Sequence, residues 1–361
     1  MQPGARDIAR PVLLSMNAES ERNQKMKKRI GVLLMAVLLG MCACASAEQA
    51  PAPATKGIMR ISVSASDLET TKAFFDDTME MEIVAEGEMD KETVKSLYGM
   101  DATAKYAMLK NALQETIVEV IEFDPKPTKK AREGFNVWDG GYFDIAYRCQ
   151  DNDEAYAKFS GQGYEFPRPP YRYVTSWSNA EVLEAVMYGP DNIPIALMGK
   201  TASTPAFEGM FRNMPDSVLI VGSIEEADKY YVDTLGAAKA FDMVLEPGLV
   251  EPIFNLEGNA QIHMTMYMGS GATPIIEIIC FEAKDGVSIT EKGGVLGDYA
   301  GKFATCYEVE NLDEAIAKHE ANGFNRYGEI TEYELAPYGR IRSVVVHGAG
   351  QALVELYEIV K

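Results

Sequence analysis

The chain has 361 residues, 47% of them hydrophobic, and a formal net charge of −20 at pH 7. A surface that acidic repels nucleic acid and anionic lipid, so neither is an expected partner. Five cysteines at no regular spacing exclude a small disulfide-framed scaffold.

The N-terminal segment reads as targeting. Met26-Lys27-Lys28-Arg29 is a basic start, 30–39 is an apolar run, and Ala45-Ser46-Ala47 is a small-x-small cleavage site before Glu48. These features predict a signal peptide over 26–47, too short for a membrane span, with 1–25 an upstream extension. The expected location is the periplasm or the exterior. A lipid anchor at Cys44 is the alternative, although Met41-Cys42-Ala43 lacks the usual leucine-small-small context. Residues 48–56, rich in Ala, Pro and Gln, predict a flexible tether. Beyond it, Cys149, Cys280 and Cys306 sit in apolar strand-like runs. Buried free thiols are expected, with a Cys280–Cys306 bridge as the alternative.

One passage then recurs four times. A strand-like run (59–65, 143–149, 217–221, 303–309) leads to a capping residue with Glu three positions on. The pairs are Ser66 with Glu69, Asp151 with Glu154, Ser223 with Glu226, and Asn311 with Glu314. This is the capping-box spacing, in which a side-chain oxygen satisfies an orphan N–H of the first helical turn. Apolar residues at helical spacing follow, including Phe75, Phe159, Tyr231 and His319. Three copies close on similar strands with Glu at a matching position, Glu119, Glu277 and Glu355, while the second copy ends in Pro194-Ile195-Ala196-Leu197. Copies one and three resemble each other, as do two and four. Four βαβββ modules are therefore expected, an α+β fold in two consecutive domains, 57–200 and 213–361, joined by a linker at 201–212.

Asp67-Leu68-Glu69, the paired aromatics Phe74-Phe75 and Tyr230-Tyr231, and the closing strands with an inward Glu resemble the vicinal oxygen chelate superfamily. That superfamily includes glyoxalase I, extradiol dioxygenases, fosfomycin-resistance enzymes and bleomycin-resistance proteins. The resemblance spans the chain beyond the tether. It implies that two modules curl into a cup, which holds a divalent metal through one residue on the first and one on the last strand of each module. Those positions are Arg60, Glu119, Asp144 and Ala196 in the first half, and Asp216, Glu277, Ala304 and Glu355 in the second. The family usually supplies His on first strands; none stands there in this chain.

In the first half a permanent Arg60 cation is expected to fill the metal position, forming an ion-pair cluster with Glu119 and Asp144 or gripping a ligand carboxylate. In the second half Asp216, Glu277 and Glu355 are candidate ligands for a hard cation, Mg²⁺, Mn²⁺ or Ca²⁺. A shared proton, or Lys302, Arg340 or Arg342, would relieve their repulsion equally well. Alternation over 261–268 places His263, Thr265 and Tyr267 on one face. If that face lines the cup, Tyr267 contacts ligand and His263 is a metal ligand or general base. The alternative is an ordinary hydrogen-bonded strand histidine. His319 is expected to pack, and His347 to sit in a turn. The Tyr- and Pro-rich stretch 164–173 is a candidate lip, with Trp138 and Trp177 a candidate stacking wall.

Two functional classes follow. The first is a small-molecule binding protein without catalysis, as in the bleomycin-resistance branch. The second is a divalent-metal-dependent lyase, isomerase or dioxygenase with its site in the second half. A homodimer and an interaction scaffold stay open.

Overall fold

The computed structural model describes residues 55–111, 116–175, 181–200, 204, 207–212, 216–256, 260–271, 275–282 and 284–361. The expected extension, signal peptide, lipid-anchor cysteine, most of the tether and Trp177 lie outside them.

The first module comprises β1 (Arg60–Ser64), α1 (Leu68–Ala73), β2 (Glu82–Met89), α2 (Lys91–Tyr98), β3 (Thr103–Lys110) and β4 (Ile117–Asp124). The second comprises β5 (Gly141–Tyr142), β6 (Ile145–Cys149), α3 (Asn152–Gly161), β7 (Tyr171–Val174), β8 (Glu181–Tyr188) and β9 (Pro194–Gly199). The third comprises β10 (Phe211–Arg212), β11 (Asp216–Val221), α4 (Ile224–Asp228), β12 (Ala238–Val244), β13 (Ile262–Met268) and β14 (Ile275–Phe281). The fourth comprises β15 (Gly301–Glu308), α5 (Leu312–Ala321), β16 (Thr331–Leu335), β17 (Gly339–His347) and β18 (Leu353–Ile359).

The repeated caps form as their chemistry requires. Asp151, Ser223 and Asn311 each accept from the N–H of the Glu three residues on. The first copy differs by one residue. Asp67 caps α1 through Thr70 N–H, and Ser66 instead hydrogen-bonds Asp191 at 2.5 Å. Helices α1 and α4 continue into π-helical turns, Phe74–Thr78 and Lys229–Thr234, which bury their aromatic pairs. Helices α3 and α5 carry no such turn, so copies one and three do match, as do two and four.

The sheets do not follow chain order. An eight-stranded sheet runs β16-β17-β18-β15-β1-β4-β3-β2, uniting the fourth module with the first. Arg60 lies opposite Cys306 and Ser62 opposite Ala304 across the antiparallel β1–β15 seam. The second and third modules form two five-stranded sheets, β10-β6-β9-β8-β7 and β12-β13-β14-β11-β5, and each takes one short strand from across the seam: β5 pairs antiparallel with β11, and β10 with β6. Neither expected half, 57–200 or 213–361, closes a sheet of its own. The seam between the first and fourth modules puts their first strands, β1 and β15, side by side.

One continuous apolar core lies under the helices and draws on all four modules, from Phe75 and Phe159 to Tyr231 and Leu312. Each sheet's concave face carries a separate core. Cys149, Cys280 and Cys306 are free and buried, as expected, and the alternative bridge is not formed. His319 packs, with Nε2 3.1 Å from the Tyr230 hydroxyl. Among the described residues no helix is long and apolar enough to cross a membrane.

Candidate functional site: two cups, one closed

The concave face of the first-and-fourth-module sheet is filled. Arg60 on β1, Glu119 on β4 and Glu355 on β18 have fully buried side chains. Arg60 Nε lies 2.9 Å from Glu119 Oε2, and Nη2 lies 2.5 Å from Glu355 Oε2. Ser62 donates to Glu119 at 2.6 Å and Ser343 to Glu355 at 2.5 Å. The guanidinium sits between the Tyr338 and Tyr357 rings, at 5.7 and 5.6 Å from their centroids. Burial alone works against its charge, but Cys306, Glu119 and Glu355 around it hold it firmly protonated. Helix α2 then plugs the mouth: Val94, Leu97 and Tyr98 pack among Phe123, Phe303 and Val345. Asp90 caps α2, and Gly99, at φ 69°, ends it in the left-handed conformation that glycine adopts without strain. The expected Arg60–Glu119 cluster is present, with Glu355 as its third member where Asp144 was expected.

The second cup, from modules two and three, has a different floor. Asp144 precedes β6, Asp216 opens β11 and Glu277 lies on β14. The first two sit seven residues before their caps, where a first strand enters the cup. Asp216 and Glu277 are hydrogen-bonded to each other. Asp144 Oδ1 accepts from Val218 N–H at 3.4 Å. Three further groups join them: Arg148 on β6, Glu184 on β8 and Tyr173 on β7, whose hydroxyl donates to Glu184 at 2.9 Å. Arg148, Glu184 and Glu277 are partly exposed, whereas Asp144 and Asp216 are buried. Two residues along β8 on the same face, Val186 begins the lining of a cavity of about 150 Å³ with Phe143, Tyr188, Pro194, Ile253 and Phe254.

Lys302 reaches this floor from the other sheet. The β1–β15 register shifts at Ser62/Val63, and the bulge turns Lys302 away from the first cup. Its ammonium meets the Ser217 hydroxyl, lies 3.0 Å from Asp144 O, and stands 4.4 Å over the Tyr142 ring. Burial lowers the Lys302 pKa to about 7. Burial, reinforced by Asp216, raises Asp144 to about 8. Burial raises Asp216 to about 6 against the pull of Arg148 and Lys302. Glu184 rises to about 7 by burial, and Glu277 is pushed well above the carboxylate range by burial and its three acidic neighbours. At neutral pH the floor thus retains protons that the same groups would lose in water.

Several expected groupings are redistributed. Asp216 and Glu277 do meet, but Glu355 belongs to the closed cup with Arg60, 295 residues away in sequence, and Asp144 takes its place beside Asp216. His263 is not near Glu277. It pairs across from Cys280 and lies on the convex face, between Asp242 at 2.6 Å and Glu282 at 3.3 Å. Tyr267 shares that face, stacked on Tyr231 at 5.0 Å and donating to Asp228 at 2.7 Å. Met264 packs instead with the concave core. The alternation of β13 was right and its facing inverted, because Tyr231 on the helix side offers an aromatic partner that Tyr267 fills. His347 stands beside the 349–351 turn, with Nδ1 3.3 Å from Gln351 O.

The sequence reading does not single out Arg148 or Glu184, and it includes Tyr173 only as the end of the candidate lip 164–173, whose last residues form β7. Arg148 carries a signal of its own, since it lies at an even spacing from Asp144, the residue just before β6. Glu184 sits in an apolar-flanked run with no clean alternation.

The floor does not fit a resident divalent ion as arranged. Among the described residues no three His, Cys, Asp or Glu side chains are grouped to hold one. The carboxyl groups face each other or Tyr173, and a lysine cation lies against Asp144. Arg60 occupies the corresponding place in the first cup.

No protein-family model matches the chain, and no curated protein matches it in sequence. Solved structures do. Glyoxalase I from Zea mays superimposes with a TM-score of 0.56 at 14% identity, covering 84% of this chain and 92% of that one. A Bacillus subtilis protein described as a dioxygenase superimposes with a TM-score of 0.54 at 11% identity, covering 86% and 87%. With its four βαβββ modules joined across two seams, first to fourth and second to third, the chain has the fold of the vicinal oxygen chelate superfamily.

Proposed function

We propose that the chain is an exported small-molecule-binding protein, akin to the bleomycin-resistance branch of the fold, which uses the second cup and performs no catalysis. The carrying observation is the asymmetry between the cups. The first is filled by Arg60, Glu119, Glu355 and α2, whereas the second keeps partly exposed Arg148, Glu184 and Glu277 near a cavity lined by Phe143, Val186, Ile253 and Phe254 together with Arg132 and Asn192. A concave apolar wall with a few convergent polar groups is the usual form of a small-ligand site.

A thermal-shift panel on the full chain tests this reading, with organic ligands in one arm and Mg²⁺, Mn²⁺ and Ca²⁺ in the other. Organic ligands are expected to raise Tm with chelator present, and Asp216→Asn with Glu277→Gln to remove the rise. Stabilisation by a divalent ion alone, lost in the same double variant, overturns it in favour of a metal-dependent lyase, isomerase or dioxygenase. Export is tested by fractionation. A processed chain beginning at Glu48 in the periplasm or medium is expected, and an unprocessed cytosolic chain defeats it. Recovery in the membrane fraction with lipid on Cys44 selects the anchored form.

A further inference from the structure

The second cup contains an unspent cation. The Arg148 guanidinium is half-buried, carries five N–H donors and, among the described residues, makes one hydrogen bond, to Gly199 O at 2.9 Å. Glu184 and Asp216 are near enough to act on its charge, yet neither forms an ion pair with it. Glu184 is engaged by the Tyr173 hydroxyl, and Asp216 by Glu277. The acids that would neutralise Arg148 are thus held elsewhere. Arg212 lies directly opposite Arg148 in the antiparallel β10–β6 pair, and its charge acts against that of Arg148. The cup therefore presents an oxyanion-binding end and, toward β11 and β14, a carboxyl pair suited to an ammonium. Two residues along β8 from Glu184, Val186 joins Phe143, Ile253 and Phe254 as the apolar part of a cavity lining that also holds Arg132 and Asn192.

We infer that the second cup takes an amphoteric ligand, an α-amino acid with an apolar side chain, its carboxylate on Arg148, its ammonium on the Asp216–Glu277 pair, and its side chain against Phe143 and Val186. This rests on the binding reading above and narrows it to a ligand class. Two parallel N–H donors of a guanidinium match a carboxylate bidentately, which a lysine would not. An arriving ammonium displaces the proton the two carboxyls share, and that proton leaves to solvent.

The test is titration calorimetry of the full chain with three matched probes: phenylalanine, phenethylamine, which lacks the carboxylate, and 3-phenylpropionate, which lacks the amine. The other apolar amino acids follow as a series. At least one amino acid is expected to bind tenfold or more tightly than its two truncated analogues, with heat that varies with buffer ionisation enthalpy as a proton is released. Arg148→Gln is expected to reduce the amino acid to the level of its amine, and Asp216→Asn to that of its acid. Should Arg148→Gln fail to fold, Arg148→Lys is read for the same loss. Amine binding as tight as the amino acid, unmoved by the arginine variants, overturns the inference and leaves the cup reading standing. No binding by any apolar amino acid also overturns it, and the organic thermal-shift panel then judges the cup reading separately.

Discussion

Arg60 on the first strand of the first module and Glu355 on the last strand of the fourth are 2.5 Å apart and wholly buried, across 295 residues of sequence. This contact and the Arg60–Glu119 pair occupy the place where the fold would otherwise admit a ligand. Removing one member strands the opposite charges in an apolar core. Arg60→Ala is expected to cost about 3–5 kcal/mol, whereas Arg60→Met with Glu119→Gln and Glu355→Gln is expected to be close to neutral. Urea unfolding of the two variants against wild type measures the difference.

The plug over that cup is the second target. Leu97 is fully buried among the concave-face residues. Leu97→Ala should destabilise by about 2–5 kcal/mol through lost burial and the cavity left behind. Ligand binding at the second cup should be unchanged, since α2 belongs to the other sheet. Paired unfolding and calorimetry check both statements.

The acidic floor predicts a particular pH dependence. Asp216 and Glu184 have folded-state pKa values raised to about 6 and about 7, above those of the unfolded chain. Their contribution is fully present below the unfolded carboxylate range and is lost as pH rises through about 6 to 7. Asp216→Asn should therefore gain on wild type in Tm as pH increases from about 4 to about 7, with little further change above. Lys302 works oppositely: its folded pKa is depressed to about 7, so its contribution is present above the unfolded lysine value and falls away as pH drops toward 7. Lys302→Met should gain on wild type over that alkaline-to-neutral descent. Thermal melts at closely spaced pH values separate the two trends.

His263 offers a negative control. It sits on the convex face between Asp242 and Glu282, on the far side of the sheet from Glu277. His263→Ala is expected to leave ligand affinity within twofold of wild type and to lower stability slightly, through loss of its partly exposed hydrogen bond to Asp242. A tenfold loss of affinity, measured by calorimetry, would place it in the binding machinery after all.

Local chemistry was legible in the sequence wherever a few neighbouring residues decide it. The caps at Asp151, Ser223 and Asn311, the aromatic pairs and the two Glu-bearing closing strands at Glu119 and Glu355 all lie where spacing put them. The first cap slipped by one because Asp191, distant in sequence, claims Ser66. What was not legible depends on long-range choice. Nothing local says that β1 pairs with β15 and not with β6, and that choice decides whether Glu355 joins Arg60 or Asp216. Nor does alternation alone orient a strand: it divides β13 into two faces without saying which is concave, and both faces carry large side chains. Helix α2 carried its own signal, Asp90 ahead of Val94, Leu97 and Tyr98, but only the assembled cup gives that helix a place to go.

The seams between non-consecutive modules have a consequence for any attempt to divide the molecule. A cut within 201–212 yields two fragments, each holding half of the eight-stranded sheet and neither holding a complete cup. The arrangement is that of an exchanged dimer written on a single chain, with Lys302 latched onto Asp144 and Ser217 of the opposite sheet as an internal clasp. Separately produced, the fragments would have to find each other to fold, and recovery of structure on mixing them would be all or nothing.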